Sequence, residues 1–276
     1  MRKMKLSARL SLAFLMLISL MAISAPLITR HSYDEQNIQR RLEAPSHDYW
    51  MGTDLLGRDL YSRMLYGART SLTVGICTTL AALLLGLLGG ATAGYFGGRI
   101  DRALMRVVDL FYLFPSLLLA ILLMIFLGRG LSGILISISL TAWVVQARLV
   151  RGQVLQAREL AYVESARALG LGNARIIFRH VVPNLWGPII VSLTLQIPTN
   201  IMAESFLSFL GLGIRPPLSS WGTLAADGLR AIRYAPHLII FPGGILFLTA
   251  LAFNTLGDWL AGWLDPARAR ILPSRQ

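Results

Sequence analysis

The sequence predicts an all-α integral membrane protein with six transmembrane helices. Three observations carry that expectation. Apolar residues make up 55% of the 276-residue chain and charged residues only 14%, against about a quarter charged in soluble domains. The apolar residues gather in six runs that approach the roughly 20 residues needed to cross a bilayer. Pro and Gly interrupt these runs without ending them, which membrane helices tolerate because their neighbours satisfy the freed backbone groups.

The runs fall at about 10–28, 72–95, 107–127, 133–147, 185–210 and 238–260. The first follows Arg2, Lys3, Lys5 and Arg9, a signal that keeps the N-terminus in the cytoplasm. With that start the segments alternate, and both termini are cytoplasmic. Segments 1–9, 96–106, 148–184 and 264–276 are then inside and hold 16 of the 26 Lys and Arg residues. A second reading of residues 1–25 is a cleaved signal peptide, with a basic start and small residues at Ala22 and Ala25.

Residues 1–71 form an N-terminal span and an outer arm, and residues 72–276 form the membrane domain. Residues 29–50 read as an irregular arm. In 51–71, Thr53 or Asp54 is placed to cap a helix that starts at Leu55 and runs into the second span. Leu55, Leu56, Leu60, Met64 and Leu65 fall near helical spacing, as in an amphipathic segment at the outer surface. The second span carries Gly86, Gly90, Gly94 and Gly98 at four-residue intervals. That flat row allows close helix packing, within the chain or against a partner. Cys77, the single cysteine, reads as a small packing residue.

The longest inside segment, 148–184, has 37 residues, six of them Arg against two Glu. Helix formers run from Ala157 to Leu169, and Gly170 and Gly172 stop them. Asn173 is placed to cap a second helix from Ala174 to His180, and Pro183 marks the start of the fifth span. A short helix with glycine punctuation at a membrane surface suits a rigid lever, and equally a solvated loop. Of the ionisable residues in or near spans, Asp109 is placed to pair with Arg106 or Arg102, and Asp258 reads as structural. Glu204, with Asn200, is the candidate for the wall of a path, because charges at depth face an interior or a cavity.

The chain has no G-x-x-x-x-G-K-[ST] phosphate loop and no H-E-x-x-H motif, and its four histidines are scattered. This reading gives no metal site, no catalytic residue and no nucleotide site of its own. The net charge of +12 is divided among loops rather than gathered on one surface, so nucleic acid is not an expected partner. Membrane lipid is.

Several stretches resemble a known family. Glu164-Ser165-Ala166, then Gly170, then Val182-Pro183 resembles the EAA motif of bacterial ABC importer permeases. Ser165 and Val182 depart from the usual alanine and leucine. Gly52-Thr53-Asp54, Gly57-Arg58-Asp59, Ser62-Arg63 and the run from Gly67 to Leu72 look like the outer-loop signature of C-type permeases from dipeptide, oligopeptide and nickel uptake systems. The run from Glu204 to Gly213, then Pro216-Pro217 and Ser220-Trp221-Gly222, resembles the exit of that family's fifth span. Asn254, Gly257-Asp258 and Asp265-Pro266 fit its C-terminal end.

The resemblance implies a MetI-like ABC importer permease fold, with 72–276 as the ABC transmembrane permease domain. It implies a coupling helix in 148–184, so that Glu164, Ser165, Ala166, Arg167, Gly170 and Leu171 contact an ATPase. Glu164 is placed for charge-assisted hydrogen bonds to that subunit, or else for capping its own helix. Implied partners are a second, B-type permease chain, two ATP-binding subunits and an extracytoplasmic substrate-binding protein. ATP is used by the partner subunits. The implied site is the bacterial cytoplasmic (inner) membrane. Peptides are the expected cargo, with nickel chelates, glutathione or oligosaccharides as alternatives. A passive channel accounts for spans but not for so long a loop.

Overall fold

The structure, a computed structural model, describes residues 4–264. Asp265-Pro266 and the C-terminal arginines lie outside the described residues. The helices in chain order are α1 (Leu6–Ile23), α2 (Ala25–Ile28), α3 (Leu60–Phe96), α4 (Gly98–Tyr112), α5 (Ser116–Leu127) and α6 (Leu131–Ala157). They continue with α7 (Ala161–Ala168), α8 (Asn173–Ile176), α9 (Trp186–Phe209), α10 (Trp221–Arg230) and α11 (His237–Leu264). Five helical stretches are long and apolar enough to cross a membrane, and α4 with α5 makes a sixth if counted as one broken span.

The second span departs from the sequence reading at its start. Its helix begins at Leu60, not Leu55, and its cap is Asp59, not Thr53 or Asp54. The Asp59 carboxylate accepts from the amides of Tyr61 (3.3 Å) and Ser62 (3.0 Å). Residues 53–59 fold into a tight turn instead of an amphipathic surface helix. The Asp54 carboxylate accepts from the amides of Leu56 (2.8 Å) and Arg58 (3.0 Å). Gly57 has φ +73°, which breaks a helix and suits glycine. An aspartate that bonds its own downstream amides favours such a turn over a helix. Asp54, Arg58, Asp59 and Arg63 are all buried.

α3 has 37 residues, about 55 Å at 1.5 Å per residue. It therefore outruns a hydrocarbon core of about 30 Å. The third span is not one helix. α4 and α5 meet at an 89° bend around Leu113-Phe114-Pro115. Pro115 lacks an amide hydrogen and restricts the residue before it, so a helix ends there. α6 runs ten residues beyond the expected end at 147, because Val150, Val154 and Ala157 still have a core to pack into. Cys77 is exposed rather than packed. It shares an open face of α3 with Ile76, Leu80 and Leu84.

Two of the clusters of buried residues lie toward opposite ends of the bundle. At the end bearing α7, Tyr95 of α3, Val150 and Val154 of α6, Val163 and Ala166 of α7, and Ile189 of α9 share one cluster. At the end bearing α10, Leu60, Met64 and Leu72 of α3 pack with Ile201, Trp221 and Leu238.

Candidate coupling site

α7 is the expected coupling segment, and it spans Ala161–Ala168 rather than 157–169. Residues 157–160 instead end α6 and turn the chain. Val163 and Ala166 point into the bundle and are buried. Glu164, Ser165 and Arg167 lie on the exposed side. The helix ends in a Schellman turn: the Leu171 amide donates to the Ala166 carbonyl (3.2 Å) and the Gly170 amide to the Arg167 carbonyl (2.9 Å). This turn needs a left-handed residue, and Gly170 supplies it with φ +74°. Leu171 then turns back and packs against the α7-end core.

Glu164 does not cap its own helix. The cap position is Leu160, and no side chain bonds there. The Ser165 hydroxyl donates to the Ala161 carbonyl one turn back (2.8 Å), so the serine at this position spends its proton within α7. Leu169 is 79% exposed and Leu160 51%. The open side of α7 thus combines one free carboxylate with two bare leucines.

The second loop helix is also shorter than expected. It is α8, Asn173–Ile176, with Gly172 in place of Asn173 at its cap. A π turn over Ile177–Val181 and a 3-10 turn over Val182–Leu185 follow, with Pro183 in the first positions of the latter. Asn173 is used elsewhere: its side-chain oxygen lies 3.1 Å from the Tyr95 hydroxyl. The Arg167 Nε donates to the same hydroxyl (3.4 Å), and its guanidinium lies 5.1 Å from the Tyr95 ring centre. Tyr95 therefore fastens both α7 and α8 to the end of α3. Sequence reasoning missed it; the signal was an aromatic with a polar tip in the last turn before the Gly97-Gly98 break.

Further ties hold the α7 end. Arg151 pairs with Asp101 through two bonds of 2.5 and 2.6 Å. Arg158 donates to the Gly94 carbonyl (3.2 Å) and pairs with Glu159 (2.8 Å). Asp109 pairs with Arg148 of α6 (2.7 Å), not with Arg102 or Arg106. Gly86, Gly90 and Gly94 face α6. A Cβ on Gly86 would meet the Ala147 amide at 2.8 Å, one on Gly90 the Arg151 amide at 3.0 Å, and one on Gly94 the Arg151 carbonyl at 2.8 Å. Gly98 is not part of this row. It opens α4 after the break, with nothing within 4 Å of a Cβ.

Glu204 and Asn200 lie between α3 and α9, not at an open wall. Asn200 is 2% exposed and Glu204 0%. The Asn200 amide donates to the hydroxyls of Thr78 (2.9 Å) and Thr79 (3.0 Å). Glu204 accepts from Ser71 (3.2 Å) and Ser208 (2.6 Å). Gln146 and Ser192 make a third such tie, between α6 and α9 (3.0 Å). An open concavity lies in the corner between α4 and α5 beside α6, lined by Phe111, Tyr112, Phe114, Ser116, Thr141 and Val145. Asp258 is exposed in α11. Among the described residues no cluster of His, Cys, Asp or Glu is arranged to hold a metal.

This geometry can be compared with known proteins. Residues 82–270 match the family of "Binding-protein-dependent transport system inner membrane component". Residues 4–45 match the "N-terminal TM domain of oligopeptide transport permease C". The oligopeptide transport system permease protein OppC of Bacillus subtilis (strain 168) is 45% identical over 94% of this chain and 85% of its own length. The dipeptide transport system permease protein DppC of the same organism is 45% identical over 95% of this chain and 82% of its own. The glutathione transport system permease protein GsiD of Pectobacterium atrosepticum is 41% identical over 85% and 79%.

Among solved structures, an inward-facing form of the MetNI methionine ABC transporter superposes with a TM-score of 0.61 at 16% identity. It covers 75% of this chain and 98% of that one. The fold is therefore that of MetI-type permeases. The chain belongs to the family of binding-protein-dependent transport system inner membrane components.

Proposed function

We propose that this chain is the C-type permease half of an ATP-driven peptide importer. It pairs with a B-type permease, two ATP-binding subunits and an extracytoplasmic binding protein. Residues 1–71 are its N-terminal span and outer arm, and 72–276 its permease domain. The α7 end faces the cytoplasm, as do both termini. The carrying observation is α7 itself: buried Val163 and Ala166 fix it to the bundle while Glu164 and Leu169 stay open. Such a helix suits docking in a groove of an ATPase, where Glu164 meets donors and Leu169 an apolar pocket. Movement imposed there passes through Tyr95 to α3 and through the chain from Asn173 to Leu185 into α9. Rocking of packed helices then exchanges the side to which the cavity opens.

The cargo reading rests on the oligopeptide and dipeptide relatives. The glutathione relatives favour a second reading, a short peptide of unusual linkage. The α4–α5 corner is the better candidate for the path than Glu204 and Asn200. Broken backbone at membrane depth is tolerated where protein covers it or where it lines a water-filled cavity, and exposed Tyr112 and Ser116 place hydroxyls there. The test is uptake of labelled di- and oligopeptides by the reconstituted complex, with and without ATP. ATP-dependent accumulation supports the reading. Equilibration without ATP identifies a passive channel and overturns it.

A further inference from the structure

The Glu204 carboxyl ends two hydrogen-bond relays that both begin in the first turn of α10. In the first, the Trp221 amide donates to the Ser71 hydroxyl (3.2 Å), which donates to Glu204 Oε2 (3.2 Å). In the second, the Thr223 amide donates to the Ser220 hydroxyl (3.2 Å). Ser220 donates to Ser208 (3.4 Å), and Ser208 to Glu204 Oε1 (2.6 Å). Ser205 adds a longer contact of 3.5 Å. Each serine hydroxyl has one proton, and in this arrangement each proton points toward the carboxyl.

Trp221 and Thr223 carry two of the amides that a helix start leaves unbonded. A carboxyl at the end of both relays complements the positive end of α10 without touching it. The packing leaves little room for an alternative. A Cβ on Gly222 would meet the Ser205 carbonyl oxygen at 2.6 Å, and one on Gly67 would lie 3.3 Å from the Ser220 carbonyl carbon. The Trp221 indole also donates to the Met64 carbonyl (3.2 Å), and Ser219 to the Arg63 carbonyl (3.1 Å).

Glu204 lies in the last turns of α9. The other end of α9 continues directly into the coupling segment. We propose that Glu204 is a positioning residue that anchors the start of α10 to α3 and α9 through Ser71 and Ser208, so that α10 travels with the helix the ATPase moves. It rests on the reading that α7 docks on an ATPase. α10 would thereby carry the state of the α7 end to the opposite face, where the binding protein meets the permease.

The test uses the complete transporter in nanodiscs, with hydrogen exchange of α10 amides read beside ATPase activity with and without binding protein. Ser71→Ala removes the acceptor of one amide. Exchange at Trp221 should rise about fivefold to tenfold, as loss of one hydrogen bond gives, while Thr223 keeps its protection. Ser208→Ala should loosen Thr223 and leave Trp221 protected. In both variants basal hydrolysis stays at the wild-type level and stimulation by binding protein falls severalfold. Glu204→Gln, which places an NH2 where one hydroxyl must donate, should loosen both amides. The proposal is overturned if the serine variants exchange and respond like wild type, or if α10 loosens while stimulation stays intact. A wild-type complex that binding protein never stimulates would instead sink the transport reading, while the exchange measurement would still judge the anchor.

Discussion

Replacing Gly170 separates the backbone's need for glycine from any need for space. Its φ of +74° is one an L residue adopts at a cost of roughly 1–2 kcal/mol. Nothing lies within 4 Å of a Cβ there, so Gly170→Ala meets no clash inside the chain. The whole cost therefore falls on the Schellman turn, through the bonds from Gly170 to Arg167 and Leu171 to Ala166. A cost of that size shifts the population of the correctly closed turn by a factor of about 5 to 30. The bundle itself is untouched, so membrane insertion and yield should match wild type. Gly172 is the internal control. It also has nothing within 4 Å of a Cβ, but its φ is −63°, so Gly172→Ala leaves the Schellman turn alone and costs only the poorer N-cap that alanine gives α8. The assay is ATP hydrolysed per peptide accumulated in proteoliposomes. Gly170→Ala should raise that ratio severalfold and Gly172→Ala should not. Equal ratios for the two variants and wild type would refute the assignment of the turn to coupling.

Three further outcomes are expected. Tyr95→Phe keeps the ring and its stacking with the Arg167 guanidinium but removes the hydroxyl's hydrogen bonds to Asn173 and Arg167, at a cost of about 1 kcal/mol; limited proteolysis should cut 161–176 several times faster and uptake should fall. Asp54→Asn takes one charge from a buried cluster in which Arg58 lies at 2.7 Å and Arg63 at 3.3 Å. It should cost about 3–5 kcal/mol, read as a lowered melting temperature of the detergent-solubilised chain. Burial raises the Asp227 carboxyl above its ordinary value, against the pull of Arg63 and Arg58. A raised carboxyl contributes stability that is fully present below its unfolded pKa and is lost as pH rises through the folded one. Asp227→Asn should flatten that decline in a melting-temperature profile from acid to neutral pH, and an unchanged profile would count against it.

Hydropathy located the spans because lipid selects for apolar length, and that pressure acts along the chain. The expected run at 185–210 differs by one residue at each end from α9, Trp186–Phe209. The same signal was blind where water or protein, not lipid, sets the structure. Thr53 and Asp54 read as the caps, and only the fold shows that Asp54 bonds Arg58 while Asp59 starts α3. The bend at Pro115 was open to sequence reading, since proline cannot continue a hydrogen-bonded helix, but the apolar residues resume on its far side and the whole of 107–127 reads as one span. Glu204 stands out in the sequence as a charge at depth, and the fold buries it fully. Its companions are four serines spread over residues 71–220, and no local pattern links positions so far apart. Tyr95 escaped for the same reason: Arg167 and Asn173 reach it only after the loop has folded back.

The sequence contains one thiol, and it emerges on the flank of α3 beside Ile76 and Leu80. A fluorophore or nitroxide can therefore be attached at Cys77 without first engineering other sulfur away from this polypeptide. Quenching by lipid-borne or aqueous agents would then report which environment that flank inhabits as the assembly turns over.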